Sequence, residues 1–340
     1  MKRNFVAAVA AAIVLAVFSA VAGVSAYPAY AAAKVVTIKL GTVGPEEGTD
    51  IATATREFIN GVEADSNGEI KFDYYPNGAL GGDLDMAEMC AQGTLQMCQP
   101  AFGVMATYNP KFGVVEMPFL FDSPDGVIKA LAGDFGEEVK KLYKGTGFMS
   151  LGLSYGGGRG MTNSKRPISG PGDLQGLKMR VMESPTYIEM FKLFGANPTP
   201  LSFSELFTAL QNGTVDGQDN DPSLTYVAQF YEVQKFFTAT DHVYAVNSTV
   251  INEDFWNGLS DQHKKIILDN SQKYLVDRLN ELCKGSGEDY VKKLEEKGMQ
   301  ITKLTDEGRA KFRESVAPLY ESQKGKFGDL VELARKDGGK

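Results

Sequence analysis

Residues 35–43 read VVTIKLGTV, and the alternation in that stretch decides the fold class. Val36, Ile38 and Leu40 point one way and Val35, Thr37 and Lys39 the other, the period-two pattern of a strand with one buried face. Working outward, Thr49 to Ala64 sets Ile51, Ala54, Phe58 and Val62 on one side of a helix. Gly68 breaks the chain, and EIKFDYYP (69–76) is a second strand. After the loop NGALGGD comes a helix carrying Leu84, Met86, Ala87 and Met89. Gly93 ends it, and Leu95 to Pro100 reads as a third strand. Strands and helices alternating through short connections predict a parallel sheet wrapped by helices.

The pattern recurs downstream. GLKMRVM (176–182) is a strand with Leu177, Met179 and Val181 on one face and Lys178 and Arg180 on the other. A helix follows from Pro185 to Phe194. In LSFSELFTALQNGTVDGQDNDP (201–222), Ser202 and Glu205 fit a capping box, and Phe203, Leu206, Phe207 and Leu210 repeat at the helical period. Asn212-Gly213 supplies the stop, and a short polar strand begins at Val215. Tyr244 to Asn252 is another strand, and from Ser260 to about Leu333 the chain reads as helix. No short repeat is present, which argues against a solenoid. The expected fold is α/β, two-lobed, with a cleft between the lobes and long C-terminal helices.

The chain has 340 residues, enough for about two domains, and a formal net charge of −8 with both signs interspersed. A nucleic-acid partner would require a concentrated basic face, which is missing; a small anion needs only local positive charge. Lys2 and Arg3 precede an apolar run from Phe5 to about Ala22, and small residues then accumulate in VSAYPAYAAAK. Ala29-Tyr30-Ala31 and Ala31-Ala32-Ala33 are both Ala-x-Ala cleavage sites. Residues 1–33 are therefore read as a secretory signal, with an uncleaved membrane anchor as the competing reading. Cys90 and Cys98 could pair in an oxidising compartment or remain buried thiols, and Cys283 has no partner left. With His242 and His263 the only histidines, no usual zinc site and no cofactor are expected.

Catalytic signatures are scarce. GGGRG (156–160) lacks the Gly-Lys-Ser/Thr ending of a phosphate loop and leads through Met161-Thr162-Asn163 into loop; its glycines suit a hinge or a close backbone approach. No G-x-S-x-G elbow occurs. Asp219, Asp221 and His242 are the residues a secreted hydrolase or lyase would use, although turns and caps account for the aspartates equally well. Two arginines stand out. Arg180 lies on a strand otherwise committed to burial, and Arg159 sits among glycines that permit close approach. A buried guanidinium is costly unless an anion meets it, and its planar fork matches a carboxylate or sulfonate.

GLKMRV, GANPTPLSFSELFTALQNGTVDGQDNDP (195–222), YPNGALGGDLDMAE (75–88) and YEVQKFFTATDHVYAVNSTVIN (231–252) together resemble the DctP-type substrate-binding subunits of tripartite ATP-independent periplasmic (TRAP) transporters. The resemblance covers nearly all of the mature chain. It implies a non-enzymatic periplasmic receptor that captures a small organic anion. That anion would be a C4-dicarboxylate or related carboxylate, or a small sulfonate such as isethionate. The receptor would act as a monomer and deliver its ligand to membrane-embedded TRAP subunits for ion-gradient-driven uptake. It implies lobe one at 34–156 plus 246–285 and lobe two at 157–245 plus 286–340, with one long helix bracing both.

By the same resemblance Arg180 grips the acid group, Asn220 assists it, Phe203 packs on the ligand, Arg159 lies nearby, His242 lines the cleft, and Asp83 is a further contact. Phe203 could instead be core, His242 a satisfied buried ring, and Asp83 a helix cap. The chain departs from sialic-acid-binding relatives at Val43 and Ala101-Phe102, which disfavours a polyhydroxylated sugar acid and points to a smaller ligand. Asp219 stands where relatives commonly have glutamate, and Asp221 is an additional acid before the proline.

Overall fold

Two separate sheets carry the molecule in the computed structural model, which describes residues 35–339. The expected signal segment, residues 1–33, lies outside the described residues. The first sheet contains β1 (Val36–Gly41), β2 (Ile70–Tyr75), β3 (Met97–Cys98), β4 (Phe148–Gly158) and β10 (Tyr244–Asn252), in the order β2-β1-β3-β10-β4. β1 runs parallel to β2 and β3, whereas β10 is antiparallel to both β3 and β4. Ile38 and Leu40 are fully buried and Thr37 and Lys39 exposed, the alternation expected of a half-buried strand.

The second sheet has the order β11-β9-β5-β8-β6-β7. Its strands are β5 (Gly160–Asn163), β6 (Lys178–Val181), β7 (Asn197–Pro200), β8 (Gly217–Asn220), β9 (Phe236–Ala239) and β11 (Gln300–Lys303). β6 is parallel to β7 and β8; β5 is antiparallel to β8 and β9. β7, with Pro198 and Pro200, occupies the edge, where a missing N–H is tolerated.

Helices α1 (Asp50–Asp65), α2 (Asp83–Ala91), α3 (Pro124–Ala132), α4 (Asp134–Lys141), α5 (Pro185–Leu193), α6 (Phe203–Gln211) and α7 (Pro222–Val227) fill the connections. α1 buries Ala54, Phe58 and Val62 as its period predicts, and Thr49 caps it by accepting from Ala52 N–H. α6 starts differently from its expected capping box. The Ser202 hydroxyl bonds the Ser204 hydroxyl at 2.7 Å and caps no helical N–H. Gly213 ends α6 with φ +70°, a conformation that suits glycine.

Two strands pass between the sheets. The chain leaves the first sheet at Gly158 and enters the second at Gly160, with Arg159 as the step. It returns through residues 240–243 between β9 and β10. Arg159 N–H donates to Val243 O at 3.0 Å, tying the two passages together. GGGRG is therefore the end of one strand and the start of another, and Met161–Asn163 is strand rather than loop. A Cβ on Gly160 would lie 2.4 Å from the Phe237 ring, so the close approach there requires glycine.

The C-terminal segment begins with α8 (Asp261–Asn270), continues through a π-helical stretch (Ser271–Arg278), and becomes α9 (Leu279–Glu296). α9 touches both sheets. Asn280 Oδ1 accepts from Tyr155 N–H on β4, while Leu294 packs with Phe237 of β9. α10 (Asp306–Ser315), α11 (Ala317–Phe327) and α12 (Leu330–Gly338) follow. α12 reaches back to the helices that follow the first three strands. It packs on α3 and α4, and Asp337 Oδ2 accepts from Phe135 N–H at 2.8 Å. Cys90, Cys98 and Cys283 are buried free thiols. Among the described residues, no helix is long and apolar enough to cross a membrane, and no cluster could hold a metal ion.

Candidate functional site

A cavity of about 160 Å³ lies where the carboxyl ends of β1, β3, β6 and β8 converge, the usual place for a ligand beside parallel strands. Thr42 and Val43 follow β1, Gln99 to Phe102 follow β3, Arg180 and Met182 come from β6, and Asn220 and Asp221 from β8. The N-terminal turns of α1, α2, α6 and α7 also reach the wall, through Ile51, Asp83, Phe203 and Leu224. The positive ends of those helix dipoles bias the space toward an anion. Segments from both sheets meet around it: a Cβ on Gly82 would come 3.0 Å from Ser202 Oγ.

Arg180 is 3% exposed and lies on this wall. Its Nε donates to Leu201 O at 2.8 Å, and it forms no ion pair among the described residues. Burial pulls its pKa down to about 10, with Arg159 adding repulsion and Asp219 opposing both. The group remains charged at neutral pH, with no counter-ion bound to it. That is the electrostatic state of a guanidinium awaiting an acid.

Arg159 reaches the same wall in a different state. Its Nε donates to Asp219 Oδ2 at 2.6 Å and its Nη2 to Asp219 O at 2.5 Å. Its guanidinium also stands over the Tyr187 ring, 5.5 Å from the centroid. Burial alone would lower the Arg159 pKa and raise that of Asp219. The mutual charge interaction outweighs it and moves both the other way, holding the carboxylate well below its ordinary range.

Asn220, Phe203 and Asp83 stand on the wall beside the arginines. Asn220 donates to Gln218 Oε1 at 2.6 Å, which orients its amide. Phe203 is half-buried and leans on Phe230, with ring centroids 6.0 Å apart. Asp83 is not the cap of α2. Asp85 takes that role by accepting from Gly82 N–H, and Asp83 Oδ1 accepts from Ala101 N–H at 2.8 Å. Burial raises the Asp83 pKa to about 6.

His242 does not line the cavity. It is 0% exposed, with edge contacts to Phe191 and Phe194, Nδ1 2.7 Å from Thr240 Oγ1, and Nε2 3.4 Å from Asp219 Oδ2. It is a buried ring behind the Arg159–Asp219 pair. A hydrolase built on Asp219, Asp221 and His242 fails on the same geometry. Asp219 is also 0% exposed, and Asp221 is engaged as the cap of α7, accepting from Leu224 N–H.

Glu116 is a wall residue that sequence reasoning missed. It accepts a hydrogen bond from Ser184 Oγ, the cap of α5. Its signal was available: a lone acid inside the apolar run FGVVEMPFLF (112–121). Burial raises its pKa from 4.5 to about 7, against the Ser184 hydrogen bond and the charge of Arg159. A carboxyl raised on folding stabilises fully below its unfolded pKa, and that contribution is lost as pH rises through about 7. The gap corresponds to about 3 kcal/mol. Glu116→Gln is expected to melt with wild type near pH 5 and several degrees above it at pH 8; equal melting temperatures at pH 8 would contradict the assignment.

The sequence of residues 40–326 matches the family model for bacterial extracellular solute-binding protein, family 7 (DctP). The sialic acid-binding periplasmic protein SiaP of Vibrio cholerae is 32% identical over 87% of this chain and 90% of its own length. A TRAP periplasmic solute-binding protein from a Polaromonas species, solved with D-erythronate, superposes with a TM-score of 0.84 at 32% identity, covering 89% of this chain and 98% of that one. A second, from Shewanella oneidensis with bound succinate, gives 0.85 at 27% identity, covering 89% and 99%. With the match running through both sheets and most of the C-terminal helices, the chain belongs to the DctP family of TRAP periplasmic solute-binding proteins and is a binding protein rather than an enzyme.

Proposed function

We propose that this protein is a periplasmic receptor that closes its two lobes over one small organic acid and hands it to membrane-embedded TRAP subunits for ion-gradient-driven uptake. The observation that carries the proposal is Arg180, buried on the cavity wall without a counter-ion. The acid group, carboxylate or sulfonate, takes the free guanidinium nitrogens, Asn220 adds a polar contact, and Phe203 covers the apolar side. Residues 1–33 serve as the export signal.

The magnitudes are sufficient. Charge-assisted hydrogen bonds contribute about 1.5–3 kcal/mol each, and micromolar binding requires about 8 kcal/mol. Three or four such bonds plus the Phe203 contact reach that value after the cost of closure. A thermal-shift panel of hydroxy acids, keto acids, dicarboxylates and small sulfonates tests the proposal. A binder raises the melting temperature with an unchanged ligand, by about 2.7 kcal/mol of stability at a hundredfold excess over Kd. No shift with any organic acid would overturn it.

A further inference from the structure

We propose that the site selects a singly charged acid bearing a hydroxyl group and rejects dicarboxylates. This rests on the reading above, in which Arg180 receives the acid group, and it follows from the remaining charges on the wall. Among the described residues the wall holds two guanidiniums, Arg159 and Arg180, and no lysine. Arg159 commits Nε and Nη2 to Asp219 and is charge-balanced by it, so its remaining N–H groups offer a second acid hydrogen bonds but no unbalanced charge. Against these stand four wall carboxyl groups: Asp50, Asp83, Glu116 and Asp221.

Their placement matters more than their number. Asp83 lies close enough to Arg180 for each to influence the other's charge. It accepts one hydrogen bond, from Ala101 N–H, and forms no ion pair. Glu116 similarly lies within the field of Arg159 and Asp219. Gln99 cannot compensate, because its amide donates to Thr55 and Thr249. A second carboxylate would be stripped of water beside the Asp83 carboxylate and the Glu116 carboxyl, with no cation left unbalanced to meet it. A hydroxyl in the same place donates to those carboxyl groups. The acids therefore act as repulsive specificity elements while Arg180 acts as the attractive one. The volume of about 160 Å³ suits a small acid, since a dry cavity of about 150 Å³ accommodates benzene.

Calorimetry at pH 7 with matched pairs tests this. Glycerate and malonate share the same carbon and oxygen counts, as do D-erythronate and malate, and each pair differs by one charge. 2-Hydroxyethanesulfonate is the sulfonate arm, separating the two kinds of singly charged head group. The singly charged member of a pair is expected to bind at least about 30-fold tighter, equivalent to about 2 kcal/mol. Asp83→Asn is expected to narrow that ratio about tenfold, and Glu116→Gln to narrow it less. Malonate or malate binding as tightly as its singly charged counterpart overturns the charge selection and leaves the receptor reading standing. Failure of every acid, of either charge and either head group, overturns both.

Discussion

Arg180→Ala is expected to abolish organic-acid binding, with at least a hundredfold loss of affinity, while the ligand-free protein keeps its stability to within about 1 kcal/mol. Removing the guanidinium deletes the wall cation that, among the described residues, has no protein counter-ion. Two or more charge-assisted bonds at about 1.5–3 kcal/mol each disappear from the complex. In the ligand-free state the same substitution relieves a charge that burial disfavours, as its depressed pKa of about 10 records. Losing the Nε–Leu201 bond offsets that relief by about 1 kcal/mol. Arg180→Lys retains the charge but not the fork and should fall between the two. Calorimetry beside thermal melts separates the effects. Retained affinity, or a large drop in ligand-free stability, would show that Arg180 is a structural residue.

Arg159→Ala is expected to do the opposite, destabilising the fold by about 3–5 kcal/mol, the usual result of leaving one partner of a buried pair uncompensated. Asp219 and its neighbour His242 are both 0% exposed, so the carboxylate loses its paired cation in a buried setting. The pH dependence gives a second readout. In wild type the Asp219 pKa is depressed, so its contribution is present above the unfolded carboxylate range and is lost only as pH falls through the depressed value. Across pH 5–8 that contribution is constant. Without Arg159 the carboxylate is held high instead, and stability should rise as pH is lowered. Asp219→Asn removes the charge while keeping an acceptor for Arg159, and should cost less than Arg159→Ala. Denaturant unfolding of the variants checks this, and a loss below about 1 kcal/mol for Arg159→Ala would contradict it.

The regular elements were legible where one face is buried and the other wet. β1, α1 and β2 fall within a residue or two of expectation because their apolar residues recur at two or at 3.6. β4 was missed. FMSLGLSYGGG is rich in glycine, and its burial pattern shows no alternation because it passes between α9 on one side and β10 beside it. Nothing in GGGRG-Met161-Thr162-Asn163 marks a strand at β5, because Thr162 and Asn163 are polar and yet fully buried. Thr162 pairs with Gln234, and Asn163 with the backbone at Arg166. The π-helical stretch after α8 reads in the sequence simply as continued helix.

Site residues were legible in proportion to how far their chemistry conflicted with their position. An arginine inside a buried strand is such a conflict, and Arg180 reaches the wall unpaired. Arg159 and Asp219 lie far apart in sequence, and nothing local in GGGRG or DGQDN announces that β5 and β8 pair so as to join them. Of the two readings open for His242, cleft wall or buried ring, the sequence cannot choose, because a lone histidine in a loop carries no sign of which way its ring turns. Asp83 and Glu116 depend on what burial does to a carboxyl group, a property of the assembled wall rather than of either segment.

A crystal structure with the tightest-binding acid of the screened panel is the most direct measurement. The expected result is the acid group within about 3 Å of the Arg180 guanidinium nitrogens, with Arg159 still bonded to Asp219 and the remaining end of the ligand facing Asp83. An acid group bound elsewhere, with Arg180 turned onto a protein carboxylate, would contradict the central claim that this buried cation is reserved for the ligand.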